Sequence, residues 1–113
     1  MQREGKQFSS ILDQVLYDFG PELLNDVSRF NAILMDYAPN YSKERKLLCS
    51  VLKENILSDI RNNALYGGES EQILTRCVYR LKNDLWLSEE AAAYAVKLLL
   101  HAMGITLKDD NAK

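Results

Sequence analysis

Histidine, cysteine and proline are scarce in this chain: one His, two Cys and two Pro, with only five Gly, among 113 residues. A metal centre built around the single histidine, His101, would have to gather its other ligands from separate segments, and no spacing motif does so. The cysteines, Cys49 and Cys77, form no C-x-x-C pair and fall within helical patterns, so they read as buried thiols and not as a disulfide. A thiolate nucleophile is disfavoured on such apolar stripes. Glycine and proline at these levels, beside 47% hydrophobic residues, match an ordinary globular chain, with disorder confined to the ends.

Long apolar runs are missing too. None approaches the roughly 20 residues that cross a bilayer, and Met1-Gln2-Arg3-Glu4-Gly5 leads into no signal-peptide core, so a cytoplasmic protein without a membrane partner is expected. Charge of one sign is equally absent: 14 basic and 16 acidic side chains leave a net charge of -2. Such a balance recruits no polyanion, and nucleic acid is not implied. The basic groups Lys43, Arg45 and Lys46, and Arg76, Arg80 and Lys82, have no recognition-helix layout around them. The Glu89-Glu90 pair points about 100° apart on a helix and cannot converge as an acid and a base. Gly67-Gly68 has neither a preceding strand nor the Lys-Ser/Thr of a phosphate loop.

What the chain does have is helical periodicity. Phe8, Ile11, Leu12, Val15, Leu16 and Phe19 share one helix face, and Gly20-Pro21 stops it, with Pro21 able to open a short turn through Asn25. Asp26 is placed to cap a helix carrying Val27, Phe30, Leu34 and Tyr37 that ends before Pro39. Ser42 is expected to cap the next, with Leu47, Leu48, Val51, Leu52 and Ile56 inward and a bend near Asn55. A shorter helical piece carrying Ile56, Ile60 and Leu65 is expected to decay into Asn62-Asn63 before the Gly67-Gly68 loop. Ile73, Leu74, Cys77, Val78, Leu81 and Leu85 mark another helix, and Ser88 caps the last one. These signals predict an all-α fold, a compact bundle of about five to seven short helices. The expected organisation is a flexible start at residues 1–6, one domain over 7–106 and a disordered tail over 107–113.

The segments Asp18-Phe19-Gly20-Pro21-Glu22-Leu23-Leu24-Asn25-Asp26, Arg29 to Pro39 and Glu44-Arg45-Lys46-Leu47-Leu48 resemble a small bacterial helical module. So do the closing Leu87-Ser88-Glu89-Glu90-Ala91-Ala92 and Ala102-Met103-Gly104. That module is appended to multidomain proteins that also carry kinase-like, Hsp70-like or repeat domains, and Leu99 stands where it carries a tryptophan. The resemblance implies a non-enzymatic adaptor or regulatory domain, and a chain that is one part of a longer protein.

The last helix supplies the candidate site. Ala91 to Met103 fill an apolar arc of roughly 220°, leaving Glu90, Tyr94, Lys97 and His101 as the polar strip. Such a helix is either the central post of the bundle or is covered by a partner. Partner-binding candidates are therefore Trp86, Tyr94, Leu98, Leu100 and His101, with another protein or a second copy as the partner. Tyr41 is a further candidate anchor, while Phe8, Phe19, Phe30 and Tyr37 are expected in the core. No catalytic residue, cofactor, metal or small-molecule substrate is implied. The alternative reading is a small nucleic-acid-binding or phage-type inhibitor protein, drawn from the two basic groups.

Overall fold

The computed structural model describes residues 7–65, 67 and 69–105; the flexible start expected at 1–6 and the disordered tail expected at 107–113 lie outside the described residues. Among them are six α-helices: α1 (Phe8–Phe19), α2 (Val27–Tyr37), α3 (Ser42–Lys53), α4 (Ile56–Leu65), α5 (Ser70–Leu85) and α6 (Glu89–Ala102). A 3-10 turn, Pro21–Asn25, joins α1 to α2. No strand occurs among the described residues, so the all-α architecture and its helix count follow the periodicity. The helices gather into two compact units that divide at the Lys53–Glu54 junction, where the sequence reading expects one unit over 7–106. The most extensive contacts between helices run between sequence neighbours, and the division falls where α3 stops and Asn55 adopts φ +64°.

In the first unit, α1 buries Phe8, Leu12 and Val15 and ends at Gly20, whose N–H donates to the Leu16 carbonyl at 2.8 Å. Gly20 has φ +87°, which disfavours any residue with a Cβ. The 3-10 turn then buries Leu23 and Leu24. The Asp26 carboxylate caps α2 by accepting the Arg29 N–H at 3.3 Å, and α2 buries Phe30 and Leu34. Ser42 is the first residue of α3, not its cap; the first helical hydrogen bond is accepted by the Tyr41 carbonyl, from Arg45 N–H at 2.9 Å. Phe19 and Tyr37 are exposed and not core. Each is the last residue of its helix, and they meet edge to face with ring centroids 6.0 Å apart. The Tyr37 hydroxyl donates to Asp18 at 2.8 Å, and the Arg29 guanidinium lies over the Phe19 ring. Tyr41 is half-buried against Phe8, at 5.5 Å between centroids, and is no free anchor.

In the second unit, α4 buries Ile56, Leu57 and Ile60 and continues through Asn62-Asn63 to Leu65, past the expected decay. Asn63 explains the difference: its amide donates to the Asp59 carbonyl one turn back at 2.8 Å and accepts from Arg76 at 3.4 Å. A side chain that would otherwise compete with the backbone is satisfied within the helix. Glu69 and Gln72 form a capping box at the start of α5. Ser88 caps α6 by accepting the Ala91 N–H at 3.1 Å, and Glu89 and Glu90 occupy its first turn. At the far end Ile105 N–H donates to Leu100 O at 2.8 Å and Gly104 N–H to His101 O at 3.0 Å, a complete Schellman motif.

Gly104 has φ +80° and open space where a Cβ would stand, so substitution there reports on backbone conformation alone. Gly104→Ala should lower stability by about 1 kcal/mol. A urea midpoint indistinguishable from that of the parent chain would show that the left-handed cap contributes nothing.

Candidate functional site

Helices α5 and α6 are joined by only three residues, Trp86-Leu87-Ser88, and therefore run antiparallel as a helical hairpin. From α5, Ile73, Cys77 and Leu81 at i, i+4 and i+8 are buried. Leu74 and Val78, expected in the same stripe, are half-buried. They form the apolar floor of an open groove of about 390 Å³, with Ala93 opposite and Tyr79 and Thr75 as its α5 wall. Charges stand at both ends: Lys82 donates to Glu89 at 3.3 Å near the turn, and Lys97 lies two turns further along α6. The Lys82–Glu89 pair is exposed and contributes little to stability.

Trp86 closes this hairpin. It follows the last residue of α5 in the left-handed conformation, φ 58° and ψ 31°, and its side chain is 89% exposed. The indole therefore stands in solvent and is not packed over the end of α5. Tyr79, 69% exposed, and Tyr94, 40% exposed, add two further aromatic surfaces to the same pair of helices. His101 is exposed on the polar strip of α6 with Glu90, Tyr94 and Lys97, as the helical wheel requires.

Leu98 and Leu100 do not belong to this surface. Leu98 is 7% exposed, and Leu99 and Leu100 are fully buried. Three consecutive buried residues span about 200° of a helix, so the chain itself covers most of the apolar arc. Leu98 and Leu100 are thus covered within the chain, and these two leucines are corrected from partner contacts to core. Among the described aromatics of this second unit, Tyr79 is the one that sequence reasoning passed over. The signal was present, because it falls outside the Ile73-Cys77-Leu81 stripe on an otherwise amphipathic helix.

The second basic group is largely committed within the chain. Arg80 binds Asp59, Asp84 and the Glu54 carbonyl, with the Asp84 contact at 3.3 Å. Arg76 reaches Asn63, and Lys82 reaches Glu89. One guanidinium thus ties the start of α4 to α5. Both cysteines are free and buried. Burial pushes the Cys77 thiol up to about 11, with the Asp59 carboxylate adding to the push and Arg80 opposing it. A thiol so protonated is a poor nucleophile. Among the described residues no group of three His, Cys, Asp or Glu side chains is arranged to hold a metal ion, and no helix is long and apolar enough to cross a membrane.

The raised thiol pKa also bears on stability. The folded state holds the Cys77 proton above the ordinary value of 9.0, so its contribution is intact below that pH and is lost as pH rises toward 11. Cys77→Ala should remove about 2 kcal/mol of the alkaline fall in stability. Urea midpoints of both proteins measured between about pH 8 and pH 11 check this; parallel curves would refute it.

No protein-family model matches this chain, and no curated protein or solved structure matches it.

Proposed function

We propose that the chain is a non-enzymatic interaction module of the cytoplasm that docks another protein, or a second copy of itself, through Trp86 and the adjoining α5–α6 surface. The observation that carries this reading is the state of the only tryptophan: 89% exposed and held at a left-handed φ of 58°. Left-handed backbone costs a residue with a Cβ about 1–2 kcal/mol, and a fully solvated indole returns nothing to the fold. Strain of this kind persists where function requires it, and tryptophan is the residue most enriched at the energetic centres of protein interfaces. Tyr79, Tyr94 and the apolar groove floor extend the same surface, and His101 lies on the same polar strip as Tyr94. The resemblance to an appended bacterial module points to the same class of work, an adaptor or regulatory role within a larger protein.

Trp86→Gly separates docking from folding. Glycine adopts this conformation freely, so the variant should keep or raise stability by about 1 kcal/mol. A tryptophan retained for packing would instead lose about 3 kcal/mol or more on truncation. Light scattering over a concentration series should then show self-association that the variant abolishes. Alternatively, proteins retained by the immobilised chain from a bacterial extract should be lost with the variant. A monomer that captures the same proteins with and without Trp86 would eliminate the proposal.

A further inference from the structure

The first unit holds a second groove, about 370 Å³, between α2 and α3. Along α3, Arg45, Cys49 and Lys53 recur at i, i+4 and i+8 and so share one face, with Lys46 and Ser50 one position further round. From α2 come Ser28 and Asn31. None of the lining residues is acidic. Arg45 is fixed by donating to Asn31 Oδ1 at 2.8 Å, a neutral partner that orients the guanidinium without neutralising it. Among the described residues neither Lys46 nor Lys53 meets a carboxylate. Three uncompensated cations therefore face one groove in a chain whose net charge is -2.

The charges converge on the middle of the groove. Burial raises the Cys49 thiol pKa, while Arg45 and Lys53, one turn to either side, both pull it down. Cys49 itself is nearly buried and donates to Asn31 Oδ1 at 3.6 Å, so it forms the floor. The walls then offer a planar guanidinium, two ammonium groups and the hydroxyls of Ser28 and Ser50. Donors and positive charge with no carboxylate in the lining match a compact dianion with several acceptor oxygens.

We propose that the α2–α3 groove binds the phosphate dianion of a small phosphate monoester, held by Arg45, Lys46 and Lys53 with the serine hydroxyls as neutral donors. This goes beyond the docking surface at Trp86, which lies in the other unit, and neither depends on the other. The groove is larger than a bare phosphate needs, which leaves room for the esterified group.

The test is a titration of the whole chain with inorganic phosphate, with O-phosphoserine and with chloride at constant ionic strength, followed by amide chemical shifts. Phosphate should move the Ser28, Asn31 and Ser50 resonances saturably where chloride does not. Lys46→Gln and Lys53→Gln, both at exposed positions that leave the fold intact, should each weaken binding about tenfold. Lys43→Gln, on the same helix but outside the groove, should change it less than twofold. Tighter binding of O-phosphoserine than of inorganic phosphate identifies an ester ligand; equal binding identifies the free anion in the same site. Shifts no larger than those from chloride, or a Lys43→Gln loss equal to that of Lys53→Gln, would overturn the site in favour of a diffuse positive field.

Discussion

Helix termination organises this chain. Five described residues have positive φ: Gly20, Asn55, Gly67, Trp86 and Gly104. They follow α1, α3, α4, α5 and α6 in turn, and α2 is ended instead by the restriction that Pro39 places on Ala38. A left-handed residue reverses the chain while letting the last carbonyls find donors, so helices of modest length can pack on their sequence neighbours. That constraint fixes the contact pattern and the division after Lys53. It also exposes one anomaly. Three of the five are glycine and one is asparagine, the residues that tolerate this conformation, whereas Trp86 is bulky. The interaction reading grows from that mismatch between local conformation and residue type.

Elements read easily from the sequence where a single local signal decided them. Gly20-Pro21, Asp26, Pro39, Ser88 and Gly104 each act within one turn, and each ends or begins a helix in the structure as its chemistry requires. Where two local preferences competed, periodicity could not arbitrate. Asn62-Asn63 looked like a helix breaker, but the Asn63 side chain bonds back to Asp59 and across to Arg76, a partner 13 residues away. Phe19 and Tyr37 held core spacing, yet both are terminal helical residues, and a side chain at a helix end can lean outward onto another. Ser42 and Tyr41 differ only by the one-residue uncertainty of any helix start.

The candidate site was half legible for a related reason. Trp86 and Tyr94 stood out as large residues at a boundary and on a polar strip, and both are exposed. Leu98 and Leu100 were misplaced because an apolar arc too wide for one packing partner has two outcomes, and amphipathicity measures the width of the arc without saying what covers it. Burial of three successive leucines shows that this chain covers it. The grooves themselves were invisible, since each depends on which two helices lie side by side.

Charge carries the same lesson at the level of pairs. The two basic groups look alike in sequence, and their summed charge is absorbed into a nearly neutral total. Their fates differ through their neighbours. Arg80 finds two carboxylates and a carbonyl, and Lys82 finds Glu89, so two of the three cations on α5 are neutralised within the fold, while Arg76 meets only the Asn63 amide. On α3 the nearest hydrogen-bonding partner of Arg45 is the amide of Asn31, which satisfies geometry and leaves the charge unscreened. A net charge near zero therefore sets only the distant field. Within about 10 Å, roughly the Debye length, what a cation can recruit depends on whether its neighbour is a carboxylate or an amide.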